Sequence, residues 1–362
     1  MRLGLIIYGK LNTLTGGYIY DKILVEYLQE CGHHVDIISY PRRNYIRCLL
    51  DNFSPNLYSK LVTSKYDILL QDELNHPSLF LSNHRLQKKL KIPIATIVHQ
   101  VLCRQPRSKI RNWMFQTIEK HYLKTVDAFI FNSRTTRKTV ELLVNGKRPS
   151  IVASPAGDRL GHLLSADLVE SRAHKGGPLQ LVFVGNILPN KRLSALIKGL
   201  SRLSPEKWLL TVVGSLTMDI PYARRIKKLI MDKKIGRQVR LVGPKDGTEL
   251  AQLLSVSHVF IMPYSHEGFG MAHLEAMAFA LPVIGSDRGA IKEFVIPGQN
   301  GFLIEPDDSK TVNACLNNLY HDRKSLIEMS HAALQTFKAR PKWNETMESI
   351  HMFLTRLAKS GM

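Results

Sequence analysis

The chain has 362 residues, of which 44% are hydrophobic and 22% charged, and a formal net charge of +20. That length exceeds one ordinary core and implies two domains of roughly 170 residues each. No run of eighteen apolar residues occurs, so no spanning helix is expected. Cys31, Cys48, Cys103 and Cys315 are scattered without a CxxC pair, which argues for a reduced, cytoplasmic protein without a zinc site.

The first 175 residues carry 26 basic and 14 acidic side chains and the remainder 24 and 16, so the excess is spread and is no basic tail. Such a surface favours anionic partners: a nucleotide sugar, anionic lipid headgroups or nucleic acid. No recognised nucleic-acid module is present, and nucleic acid is not expected.

The N-terminal apolar run is too short for a signal peptide and reads as a first strand, residues 2–8. Further strands are expected at 35–39, 67–70, 94–98, 128–131 and 150–153, with helices at 17–31, 78–90, 107–124 and 134–144 between them. The glycine-rich stretch 171–178 reads as a linker, which places the domain boundary at 172/173. A second series of strands follows at 179–185, 208–213, 239–242, 258–262 and 282–285. A last helix begins at Trp343. Strands alternating with helices imply parallel sheets covered on both faces, that is, two doubly wound α/β domains. Their ligands bind at the carboxyl ends of the strands.

The run from His266 to Ala278 sets Glu267 and Glu275 eight positions apart across a strand–loop–helix junction. The first turn of such a helix has free N–H groups and a partial positive charge that attract phosphate, and Gly268 and Gly270 let a ligand approach the backbone. Carboxylates there can accept hydrogen bonds from sugar hydroxyls. The competing reading is an amphipathic helix with two solvated glutamates. Lys191, after the strand and turn Gly185-Asn186-Ile187-Leu188-Pro189-Asn190, reads as a phosphate contact or a solvated lysine. Gly16-Gly17 is a turn or a site of close ligand approach. His99, at the end of the strand 94–98, is structural or ligand-facing. Ser133 reads as a helix cap, and Asp307-Asp308 as a turn and cap, not a metal site. No D-x-D motif is present.

Glu267 and Glu275 together resemble the E-x7-E motif of family-4 retaining glycosyltransferases (glycosyl transferases group 1). The likeness continues through Ala280-Leu281-Pro282-Val283-Ile284-Gly285-Ser286-Asp287, Gly289, Glu293 and Pro297-Gly298-Gln299-Asn300-Gly301-Phe302-Leu303. The resemblance implies the GT-B fold, two Rossmann-like domains facing each other across a deep cleft. It assigns residues 1–172 to an acceptor-side domain and 173–342 to the nucleotide-sugar domain, with the helix 343–360 packing back onto the first. It implies a hexosyltransferase moving a sugar, with retention, from a nucleoside diphosphate to an acceptor hydroxyl in cell-envelope polysaccharide or glycolipid synthesis. A nucleotide-sugar epimerase and a non-catalytic homologue of the same fold are the alternatives.

By that resemblance Glu275 holds the ribose and Glu267 the donor sugar. Gly268, Phe269, Gly270, Met271, Gly185 and Lys191 serve the diphosphate, and Gly16, Gly17 and His99 lie near the donor sugar. Asn186 stands where arginine is usual, so that phosphate contact is neutral or another cation such as Arg192 replaces it. The Ser154-Pro155-Ala156-Gly157-Asp158 turn is architectural. No cofactor and no essential metal are implied, and the acceptor is a saccharide or a lipid-linked saccharide. The segments 41–47 and 104–115 mix basic and aromatic residues. They form either a solvated face or a docking face for the anionic inner surface of a membrane. Asp72-Glu73-Leu74-Asn75-His76-Pro77 reads as an acceptor contact or a polar loop.

Overall fold

The computed structural model describes residues 1–105, 108–161, 165–265 and 267–360. Pro106, Arg107 and His266, which belong to the basic segment and the glutamate motif, lie outside the described residues. The chain folds as two compact units, Met1–Pro155 with Trp343–Met362, and Ala156–Lys342.

The first unit is built on six parallel strands, β1 (Arg2–Tyr8), β2 (His34–Tyr40), β3 (Ile68–Asp72), β4 (Ile94–Val98), β5 (Ala128–Phe131) and β6 (Ser150–Val152), in the order β2-β1-β3-β4-β5-β6. The central strands β3, β4 and β5 are buried along their whole length, as expected for a sheet with helices on both faces. The winding reverses between β1 and β3, so the loops after these strands diverge and leave a gap at their carboxyl ends. The helix Gly16–Glu30 follows β1 and buries the stripe Tyr20, Leu24 and Leu28. Asp21 is buried beside that stripe.

The terminal helix Trp343–Ser360 packs on this unit. The Trp343 and Tyr20 rings meet edge to face at 5.7 Å, and Thr346 Oγ1 donates to the Ser154 carbonyl at 3.0 Å. The expected helix 78–90 is two pieces, His76–Leu79 and Ser82–Lys89.

The second unit has strands β7 (Leu179–Val184), β8 (Trp208–Val213), β9 (Val239–Gly243), β10 (Val259–Met262), β11 (Val283–Ser286) and β12 (Gly301–Ile304), in the order β12-β11-β10-β7-β8-β9. Its winding reverses between β7 and β10. Strand β12 is short and half-buried at the sheet edge. Its first residue is glycine because a Cβ there would strike the Val283 carbonyl.

Where the sequence reading puts the boundary at 172/173, the chain passes from the first unit to the second at Pro155/Ala156. The reason is the helix Ala166–His174, which buries Val169 and Ala173 in the second unit and whose Arg172 donates to the carbonyls of Phe279 (2.9 Å) and Ala280 (2.7 Å).

Ile350 of the terminal helix is fully buried. Ile350→Ala should cost about 2–5 kcal/mol, read by denaturant unfolding, and hydrogen exchange should place the loss in Met1–Pro155.

Candidate functional site

In the second unit, the residues singled out after β7 and β10 come together. Lys191 closes the turn Pro189–Lys191, and its Nζ lies 2.5 Å from Glu267 Oε2 with both side chains partly exposed. A charge-assisted contact of that length holds the ammonium in one place. Glu267 is itself fixed by backbone: it bridges to Gly289, whose φ of +125° and contact with the Glu267 carbonyl leave no room for a Cβ. Phe269 is buried against Phe294.

Gly270, at φ +95°, starts the helix Met271–Ala278. The first-turn amides of Met271 and Ala272 have no intrahelical acceptor, which makes this end attractive to an anion. The helix is buried from His273 to Ala278, so the amphipathic reading with solvated glutamates does not describe it. Glu275 is buried, and its Oε1 accepts a hydrogen bond from Arg159 Nε at 2.9 Å. Burial raises its pKa, and Arg159 acts against that rise.

Arg159 was not legible in advance, because its partner lies 116 positions away. The turn before it was. Gly157 packs so closely on this helix that a Cβ would lie 2.8 Å from the Leu274 carbonyl.

Asn186 Oδ1 accepts from the Ser215 amide at 3.1 Å, tying the loop after β7 to the loop after β8. Gly214, at φ +150°, crosses Gly185 at a distance only glycine permits. Arg192, the suggested substitute for the usual arginine, donates to Asp307 at 2.6 Å, while Asp308 caps the next helix through the Thr311 amide at 3.1 Å.

In the first unit, Gly16 and Gly17 open the helix after β1. A Cβ on Gly17 would lie 3.1 Å from His99 Cδ2, so glycine lets the helix start lie against the imidazole. His99 follows β4. Its Nε2 is 2.8 Å from Asp21 Oδ1, and its carbonyl accepts from Asn132 Nδ2 at 2.6 Å. Burial alone would lower the His99 pKa, but Asp21, then Asp72 and Glu73, raise it to about 9. Asp72 itself is raised to about 7 by burial and by Asp21, against the opposing effect of His99. Ser133 caps the helix Arg134–Val144 through the Thr136 amide at 3.0 Å.

The segment 72–77 is neither a solvated loop nor an open contact surface. Asp72, Glu73, Asn75, His76 and Pro77 are all buried. Ligating atoms of Glu73, His76 and Glu119 lie within 4.8 Å of one another, a spacing a cation could bridge. Glu119, however, already accepts the amides of Leu102 (2.6 Å) and Cys103 (2.9 Å), and His76 Nε2 meets the Tyr45 hydroxyl at 2.9 Å. Burial pushes both Glu73 and Glu119 up to about 8. Burial thus disfavours charge on both carboxyl groups, and no metal is assigned to the cluster.

The basic–aromatic segments also meet. Tyr45 and Phe115 stack at 3.8 Å, and around them Ile46, Leu50, Ile110 and Trp113 are exposed, with Arg42, Arg47, Arg104 and Arg111. Among the described residues no helix is long and apolar enough to cross a membrane.

Residues 166–336 match the family model for glycosyl transferases group 1. Glycogen synthase of Mycobacterium tuberculosis is 30% identical over 48% of this chain and 41% of that protein. D-inositol 3-phosphate glycosyltransferase of Stackebrandtia nassauensis is 25% identical over 64% of this chain and 54% of that protein. The chain thus spans about half the length of these curated relatives. Two solved structures are similar along nearly the whole of both chains. Sucrose-phosphate synthase from Thermosynechococcus elongatus superposes with a TM-score of 0.84 at 19% identity, covering 99% of each chain. HepE of Anabaena, solved with UDP and glucose, gives 0.77 at 16% identity, covering 98% of this chain and 99% of that one. The fold is GT-B, with two parallel six-stranded sheets.

Several buried groups of the first unit and two buried histidines of the second are shifted in opposite senses. Asp72, Glu73, Glu119 and His99 of the first have folded pKa values above their unfolded ones, so they stabilise it at low pH and lose that contribution as pH rises toward 7–9. His258 and His273 of the second are lowered by burial to about 4 and about 3, so the second unit loses stability as pH falls below about 6.5. For His258 the cause is visible: Nδ1 accepts the Gln180 amide at 2.9 Å, which a protonated ring cannot do. Hydrogen-exchange protection factors should fall in β3–β5 from pH 5.5 to 8.5 and fall in β7–β10 from pH 7 to 5.

Proposed function

From the match of residues 166–336 to the family model for glycosyl transferases group 1, we propose that the chain is a retaining glycosyltransferase using a nucleoside diphosphate sugar. The observation that carries this reading is the Lys191–Glu267 pair at the reversal point of the second sheet, beside the start of the helix Met271–Ala278. Two opposite charges there suit a ligand with both an anionic diphosphate and hydroxyl groups.

In this reading Lys191 and the amides around Gly270 and Met271 stabilise the charge developing on the leaving diphosphate. Glu267 accepts from the donor sugar's hydroxyls, and Glu275, oriented by Arg159, accepts from the ribose. Asn186 contributes loop closure through Ser215, so the diphosphate relies on Lys191 and the helix start. No resident metal is required, because this cation and these amides already supply positive potential. UDP-glucose is the first donor to try, since HepE was solved with UDP and glucose.

The acceptor is a saccharide or lipid-linked saccharide of the cell envelope, reached at the cytoplasmic face of the membrane. The exposed Ile46, Leu50, Ile110 and Trp113 amid arginines support docking on anionic lipid.

A panel of nucleotide sugars with candidate acceptors, scored for nucleotide release and product anomer, tests the reaction. Retained configuration is expected. Lys191→Ala and Glu267→Ala should each lower turnover by about 10²-fold or more with the fold intact, and EDTA should leave turnover unchanged. Unaltered turnover in both variants, an inverted product, or a changed sugar without nucleotide release contradicts the reading. Vesicles rich in phosphatidylglycerol should sediment the protein at low salt, and Arg111→Glu or Trp113→Ala should weaken this. Equal sedimentation with neutral vesicles excludes the docking face.

A further inference from the structure

We propose that Asp21 is a positioning residue for His99: its buried carboxylate holds the proton on Nε2 and favours the doubly protonated ring, so that the opposite ring nitrogen, Nδ1, is presented to substrate as a hydrogen-bond donor. The inference rests on the proposed function for its ligand, but its structural basis stands apart from it.

Asp21 is fully buried in the helix Gly16–Glu30, where a charged side chain is costly unless paired. Its Oδ2 has no hydrogen-bond partner among the described residues. The ion pair through Oδ1 with His99 Nε2, 2.8 Å away, is therefore its means of compensation. His99 retains a little exposure, and its Nδ1 meets no partner among the described residues. The ring is held by Asp21 at Nε2, by Gly17 against Cδ2 and by Tyr20 edge to face at 5.2 Å, while Asn132 holds the main chain. Little rotational freedom is left to it.

Three carboxyl groups of this unit bear on the ring. Asp21 lies on the helix, Asp72 and Glu73 at the end of β3, and Arg42 acts on the neighbouring Tyr18, whose hydroxyl donates to the Tyr8 carbonyl. The three carboxyl groups favour an imidazolium, and the balance puts its midpoint near 9. Both ring nitrogens then carry protons at neutral pH, and His99 is a donor of charge-assisted hydrogen bonds, not a base. As pH rises past that midpoint, Nδ1 loses its proton first, because Asp21 holds the one on Nε2. Nδ1 then changes from donor to acceptor and turnover falls.

The test follows the histidine Cε1–H resonances of the full chain by NMR, with His99 assigned by its loss in His99→Gln. The wild-type midpoint is expected near 9. In Asp21→Asn it should drop by about two units or more, and Asp21→Glu should restore part of the shift. With UDP-glucose as the probe donor, Asp21→Asn should lower kcat by about 10²-fold, leave the donor KM within about twofold, and bring the alkaline limb of the pH profile down with the midpoint. In the His99→Gln background the same substitution should add no further loss, which a merely structural role would not predict. An unchanged midpoint in Asp21→Asn, or full additivity with His99→Gln, overturns the proposal. If Asp21→Asn does not fold, a wild-type midpoint at or below about 6.5 overturns it equally. If no nucleotide sugar is turned over, the proposed function fails alone and the titration still decides the fate of the pair.

Discussion

A parallel sheet wound outward in both directions from its middle must leave one place where consecutive loops part, at the carboxyl ends of two neighbouring strands. Each unit of this chain has such a reversal, between β1 and β3 and between β7 and β10. The candidate functional side chains follow from those two places. Gly17 comes from the segment after β1 and Asp72 from the end of β3, while His99 follows β4 beside them. Lys191 comes from the segment after β7, and Glu267 from the one after β10.

The two places solve the problem of charge differently. In the second unit the Lys191–Glu267 pair is partly exposed, so a ligand can exchange one of its contacts without stranding a buried ion. In the first unit the charges are buried and compensate each other internally. Asp21 balances His99, and burial pushes the pKa values of Glu73 and Glu119 up. That difference leaves the first unit offering a single, internally compensated imidazole.

Most of the strands were legible as short apolar runs, because buried parallel strands need no polar alternation. Strand β12 was not, since its apolar run is only three residues long and follows a glycine-containing turn, its own first glycine being required by the approach to Val283. The site residues that lie in loop motifs, Lys191, Glu267, Gly17 and His99, could be singled out from position, and the family resemblance chose among their readings. Their partners could not. Arg159 and Asp21 reach across 116 and 78 positions, and pairings of that range exist only once the sheets have formed. The segment 72–77 read as a polar loop because its residues are polar, whereas the fold turns them inward and lets them neutralise one another. The boundary at 172/173 followed composition, and the helix Ala166–His174 shows why composition misplaced it: packing and the Arg172 hydrogen bonds hold the helix to the second unit.

The central claim is that the second unit holds a nucleoside diphosphate through Lys191 and through Glu275 oriented by Arg159. Calorimetric titration of the full chain with UDP tests it most directly. Binding in the wild type, weakened about tenfold or more by Lys191→Ala and by Glu275→Gln, is the predicted result. Equal affinity in the wild type and both variants, or no binding in the wild type, would contradict the account.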